Sequence, residues 1–137
     1  METGKIVITN IAEKPASVEA ELVNNNLWLC KREISKLFNC YPQKIEMNLR
    51  SIFQKGLLNE KDVTYLRRYI YKETECQCIY YNMDVLIFLS YRIGTREAKI
   101  FREFINDSFR EYVKNKKKPK KSKILWIAPP CFQLIEN

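Results

Sequence analysis

Residues Leu27–Gly56 read LWLCKREISKLFNCYPQKIEMNLRSIFQKG, and the spacing of their apolar side chains sets the architecture. Ile34, Leu37 and Phe38 recur at i, i+3, i+4, which predicts a short helix over Lys31–Phe38. Asn39 tolerates the left-handed backbone that ends such a helix. Pro42 suits the first turn of a second helix, because its missing N–H would have no intrahelical partner there. Ile45, Leu49, Ile52 and Phe53 form the buried stripe of that helix, Pro42–Gln54, and Gly56 closes it. Two helices joined at the Asn39–Tyr41 corner have the form of a helix-turn-helix, whose second helix enters the major groove of DNA.

On this predicted recognition helix Gln43, Lys44, Glu46, Met47 and Arg50 lie off the apolar stripe. Gln43, Lys44, Met47 and Arg50 are the candidates for base contacts, and Lys31, Arg32, Lys36 and Lys55 for phosphate contacts. From Cys30 to Lys55 six basic residues face only Glu33 and Glu46, a local charge of +4. Glu46 repels phosphate and, toward bases, can accept only from cytosine. The same spacing would serve two helices that merely pack, since burial dictates it whatever the outer face does. A non-catalytic interaction or oligomerisation module, with the helix pair as scaffold, is therefore the alternative reading.

The flanks predict an α+β domain. Lys5–Thr9 is a short β-branched run, and Val18, Ala20 and Leu22 alternate with Glu19 and Glu21 as in a half-buried strand. Asn24-Asn25-Asn26 suits a tight turn into a second strand at Leu27–Leu29, giving a small N-terminal β-hairpin sheet and a winged-helix-like domain. A third helix is expected from Glu60 to about Tyr71, with Val63, Leu66 and Ile70 inward, followed by a strand over ECQCIYY. Asn82 can cap a helix over MDVLIFLSYRI, which is apolar nearly all round and so belongs at the centre of the core. Thr95 can cap a last helix running to about Val113, with Ile100, Phe101, Phe104, Ile105, Phe109 and Tyr112 on one broad stripe. These two form a hydrophobic C-terminal helix pair.

Composition limits the chemistry. The 137 residues, 46% hydrophobic, can bury one core. There is no histidine, so no Ser-His or Cys-His nucleophile pair exists, and the three glycines form no phosphate-cradling loop. Five cysteines without a C-x-x-C spacing point away from zinc and from disulfides. We expect no catalytic residues, cofactor, metal or small-molecule substrate. The N-terminus has no signal-peptide pattern and no apolar run is long enough to span a bilayer, so a cytoplasmic location is expected.

The formal charge of +8 is concentrated in one segment. Seven lysines and no acid lie between Lys114 and Lys123, which leaves 17 basic and 16 acidic groups in the rest of the chain. The reading divides the chain into a single domain over residues 1–113, a lysine-rich linker or tail over 114–123, and an apolar segment over 124–137. Lys116, Lys117, Lys118, Lys120 and Lys121 are candidates for non-specific, salt-dependent phosphate contacts. Ile124, Leu125, Trp126, Ile127 and Phe132 would not sit on a solvated tail, so Ile124–Ile135 packs on its own domain, a second copy or a protein partner.

Two blocks resemble the RhuM family of bacterial, virulence-associated proteins. LWLCKREISKLFNCYPQKIEMNLRSIFQKGLLNE is similar to the family's opening block, a strand end followed by a helix-turn-helix. YYNMDVLIFLSYRI is similar to its hallmark block, and TREAKIFREF to the region that follows. The chain departs from the pattern at Cys30, Asn39 and Tyr41, where the family commonly has a Thr or Ser cap, a glycine and a Ser cap. The resemblance implies double-stranded DNA binding of bacterial or mobile-element origin and carries no catalytic residues.

Overall fold

The structure, a computed structural model, describes residues 2–115 and 123–129. It is a mixed α+β arrangement of five helices and two small antiparallel sheets among these residues. In chain order the elements are β1 (Lys5–Thr9), β2 (Ser17–Glu21), β3 (Leu29–Cys30), α1 (Lys31–Leu37), α2 (Pro42–Gln54) and α3 (Glu60–Val63). They continue with β4 (Thr64–Tyr71), β5 (Thr74–Tyr81), α4 (Met83–Ser90), α5 (Arg96–Lys114) and β6 (Lys123–Ile127).

The two helices of the opening stretch lie where their periodicity places them. Asn39 turns the corner with φ of 52°, and Pro42 opens α2. Ile34, Phe38, Ile45 and Ile52 are completely buried, so each helix stripe faces a common core. Thr95 locks the corner from outside: its hydroxyl donates to the Phe38 carbonyl at 2.6 Å and accepts from the Ala98 amide at the start of α5. Arg92 ties the far end of α4 to α2 by donating to Ser51 Oγ at 3.0 Å.

The expected helix over Glu60–Tyr71 is corrected. It lasts for four residues and gives way at Thr64 to β4, which pairs with β5 along its whole length, from Thr64 with Tyr81 to Tyr71 with Thr74. Asn59 caps α3 by accepting from the Lys61 amide, but TYLRRYIY is rich in β-branched and aromatic residues that fit a pleated surface better than a helix. Lys72 and Glu73 close the hairpin with φ of 50° and 64°, the signature of a mirror-image two-residue turn.

The N-terminal hairpin is corrected as well. β2 does not pair with Leu27–Leu29; its neighbours are β1 and β6, while β3 pairs with β5. Asn24 and Asn25 do form a tight turn, at φ of 53° and 62°, but it holds only a single bridge, Val23 with Asn26. Gly4 is required where it lies, because a Cβ there would meet the Glu21 carbonyl oxygen at 2.6 Å.

Part of the apolar C-terminal segment belongs to the domain. β6 runs antiparallel to β2, Trp126 packs edge-on to Phe104, and the Trp126 indole N–H donates to Asp107 at 3.0 Å. Ile124 and Trp126 turn inward, whereas Leu125 and Ile127 face out. Phe132 and the remainder of Ile124–Ile135 beyond residue 129 lie outside the described residues. Helix α4 buries Val85, Leu86 and Leu89 completely, and α5 buries Ala98, Ile100, Phe101 and Phe104. The expected apolar stripe of α5 stops being buried past Ile105, since Phe109 and Tyr112 are exposed. Among the described residues no helix is long and apolar enough to cross a membrane.

Candidate nucleic-acid interface

Helix α2 exposes the residues that its period leaves over. Gln43, Lys44, Met47 and Arg50 are all exposed, with Ile45, Leu49 and Ile52 buried beneath them. Gln43, Met47 and Arg50 follow at i, i+4, i+7 and so line one edge of the helix, with Lys44 beside them. Met47 keeps 61% of its surface in water, an apolar side chain on the solvent side of the helix. Tyr41, just before the helix, is 81% exposed and was not among the candidate contacts read from sequence. It takes the N-cap position in extended backbone without a side-chain cap, and no acidic residue occupies the first turn. Pro42 brings no N–H, and the Lys44 and Ile45 amides donate to the Tyr41 carbonyl at 2.9 and 3.4 Å, so the start of α2 offers a ligand little beyond the Gln43 amide.

Glu46 interrupts this electropositive edge. Its carboxylate bonds directly to Lys31 of α1 and lies 4.0 Å from Arg50 one turn further along α2. The Lys31 hydrogen bond and charge, with a smaller contribution from Arg50, hold the Glu46 carboxyl below its ordinary range. One candidate phosphate contact and one candidate base contact are thus brought together by an acid. Lys55, the C-cap of α2, and Arg32 of α1 are exposed. Lys36 instead borders a groove between α1 and β1 that it shares with Lys5, Glu33 and Glu97, a surface of mixed charge. Lys116, Lys117, Lys118, Lys120 and Lys121 lie outside the described residues.

The strand expected over ECQCIYY is β5, but sequence reasoning missed its partner β4 and so the β4–β5 hairpin, which is fastened beside α2. Tyr81 at its root is buried and stacks on Phe53 of α2 with ring centroids 6.5 Å apart. Burial, then the charges of Glu60 and Glu46, push the Tyr81 hydroxyl up from its ordinary pKa. Because β3 pairs only with Tyr80 and Tyr81, the hairpin continues outward with no third strand among the described residues. Residues opposite one another share a face, so Tyr65, Arg67, Tyr69 and Tyr71 of β4 lie with Thr74, Cys76, Cys78 and Tyr80 of β5. Leu66, Arg68 and Ile70 lie with Glu75, Gln77 and Ile79 on the other face. The missed signal was the alternation of aromatic and basic residues in TYLRRYIYK.

Cys30 and Cys78 approach one another where the first face meets α1. The Cys30 amide is fixed by the Glu33 carboxylate at 3.0 Å, and burial together with the neighbouring Cys30 thiol raises the pKa of Cys78. Both cysteines are free thiols, and among the described residues no cluster of three or more His, Cys, Asp or Glu side chains is placed to hold a metal ion. Chemically, the arrangement offers hydrogen-bonding, cationic and stacking groups on two adjoining projections. No protein-family model, curated protein or solved structure matches the chain.

Proposed function

We propose that the chain is a DNA-binding protein of the winged helix-turn-helix type, acting in transcriptional regulation or an accessory role. In this reading α1, the corner and α2 are the helix-turn-helix, α2 is the recognition helix, and the β4–β5 hairpin is the wing. The observation that supports it best is the outer edge of α2, where Gln43, Lys44, Met47 and Arg50 are all exposed. Gln43 can bond an adenine edge, Lys44 and Arg50 a guanine edge, and Met47 can touch a thymine methyl. Lys31, Arg32 and Lys55 flank the helix as phosphate contacts, and the lysine run adds sequence-independent attraction. The resemblance to RhuM proteins points the same way. The reading needs no cofactor, metal or catalytic step, and it places the protein with cytoplasmic DNA.

A second reading draws on Glu46. By occupying Lys31 and Arg50 it lowers the charge available for phosphate, as expected if the helix pair were scaffold for a protein partner. Selection of duplexes from a random pool separates the two. DNA reading predicts enrichment of one motif of a few base pairs, with preference changing at one position for Gln43→Ala and at a neighbouring position for Arg50→Ala. A pool that remains random after repeated rounds would favour the scaffold.

A further inference from the structure

The face of the β4–β5 hairpin that carries Tyr65, Arg67, Tyr69 and Tyr71 is built as a row. Alternate residues on a strand are about 6.8 Å apart. Bases in a nucleic-acid stack repeat about every 3.4 Å along one strand, so the gap between successive side chains of the row has room for one flat base. The row is anchored and extended at both ends. Trp28 meets Tyr65 edge-on at 6.4 Å, and the Lys72 ammonium lies 5.3 Å from the Tyr71 ring centre. Arg67 within the row is steadied by the Tyr80 hydroxyl across the ribbon at 3.5 Å. Tyr65, Tyr69 and Tyr71 remain 41%, 43% and 59% exposed.

Charge identifies the occupant. On this face the paired strands carry Arg67 and no carboxylate, since Glu75 falls on the opposite face, while at the margin against α1 Glu33 and Arg32 both lie near Cys78 and offset one another. A second copy fits poorly: two-fold antiparallel pairing along the free edge of β4 about its centre would set Arg67 against Arg68. Aromatic planes together with the Arg67 guanidinium and the Lys72 ammonium, with no carboxylate on the strands of this face, match a polyanion whose bases are free to stack.

We propose that this hairpin face binds unpaired nucleic acid, the bases of a single strand stacking on Tyr69, Tyr71 and Tyr65 while Arg67 and Lys72 hold the phosphates. This is a second binding activity, resting on the hairpin and not on the assignment of α2. A protein with both would favour sites where duplex and single strand adjoin.

The test uses fluorescence anisotropy of the full chain with a labelled twelve-nucleotide oligothymidylate, its oligouridylate counterpart and a duplex. Four variants are compared, Tyr69→Thr/Tyr71→Thr, Tyr69→Phe/Tyr71→Phe, Arg67→Gln and Lys44→Glu/Arg50→Glu, with far-UV circular dichroism to verify the fold. Threonine keeps strand preference while removing the rings. We expect Tyr69→Thr/Tyr71→Thr to weaken single-strand binding by roughly tenfold or more with the salt slope unchanged, and the phenylalanine pair to retain it. Arg67→Gln should make the salt slope shallower, and Lys44→Glu/Arg50→Glu should leave single-strand binding largely intact. Folded threonine variants that bind the single strand as tightly as the parent would overturn the proposal. So would absence of single-strand binding by the parent, or a dimer in sedimentation that dissociates on Tyr69→Thr/Tyr71→Thr, which would assign the face to a second copy.

Discussion

Glu46 shows how much one side chain decides about the α2 surface. Its side chain is exposed, so its bond to Lys31 is an interaction between hydrated groups, and its consequence lies in the local charge and not in the fold. Replacing Glu46 with Gln should release Lys31 and Arg50 and raise duplex affinity about 2–5-fold at neutral pH, read by titration at low salt. The carboxyl pKa is lowered in the folded protein, so the contribution of the pair is present above the ordinary carboxylate range and is lost as pH falls through the lowered value. The advantage of Glu46→Gln over the parent should therefore vanish in acid below that range. Gln43, Lys44, Met47 and Arg50 were legible in the sequence because a helical period with a strong buried stripe dictates which positions are left outside. The engagement of Glu46 by Lys31 was not, since fifteen residues separate the pair and only the crossing of α1 and α2 brings them together.

Among the elements, α1 and α2 could be read because apolar spacing, Asn39 and Pro42 agree on the same boundaries. β4 could not. Val63, Leu66 and Ile70 satisfy a helical spacing, and β4 is exposed on both of its faces, so the polar-apolar alternation that marks a half-buried strand is missing. The decisive local feature is the Lys72-Glu73 turn, where two residues with side chains hold left-handed backbone. Exchanging them for Asn-Gly, which suits that turn, should stabilise the hairpin by about 1 kcal/mol. Slower amide exchange across β4 and β5 would show it. The alternation of β2 was legible too, but its partners were not, because a five-residue strand does not specify which edges it will meet.

At the scale of the whole molecule, β6 joins the end of the chain to its beginning. An apolar segment after a lysine run has no local property that names its partner, and here the partner strand lies about a hundred residues earlier. Trp126 is half-buried against Phe104, so Trp126→Ala should lower stability by about 2–3 kcal/mol, below the range for a fully buried Trp, as a denaturant titration would reveal. Removing the chain end would also strip a strand from the sheet, and the lysine run is better tested by substitution in the intact chain. Replacing Lys116, Lys117, Lys118, Lys120 and Lys121 with Gln should flatten the salt dependence of duplex binding, by up to about 0.9 in the logarithmic slope for each lysine that reaches phosphate, without changing base preference.

Whether α2 reads duplex DNA, as proposed, is decided by anisotropy with a labelled duplex across a salt series, comparing the intact chain with Lys44→Glu/Arg50→Glu. Both positions are exposed, so the variant should unfold at the same temperature as the parent. A reading helix predicts salt-sensitive binding by the parent and loss of at least tenfold in the variant. Equal binding by the two proteins, or no binding by the parent at low salt, would contradict it and leave the helix pair as a scaffold.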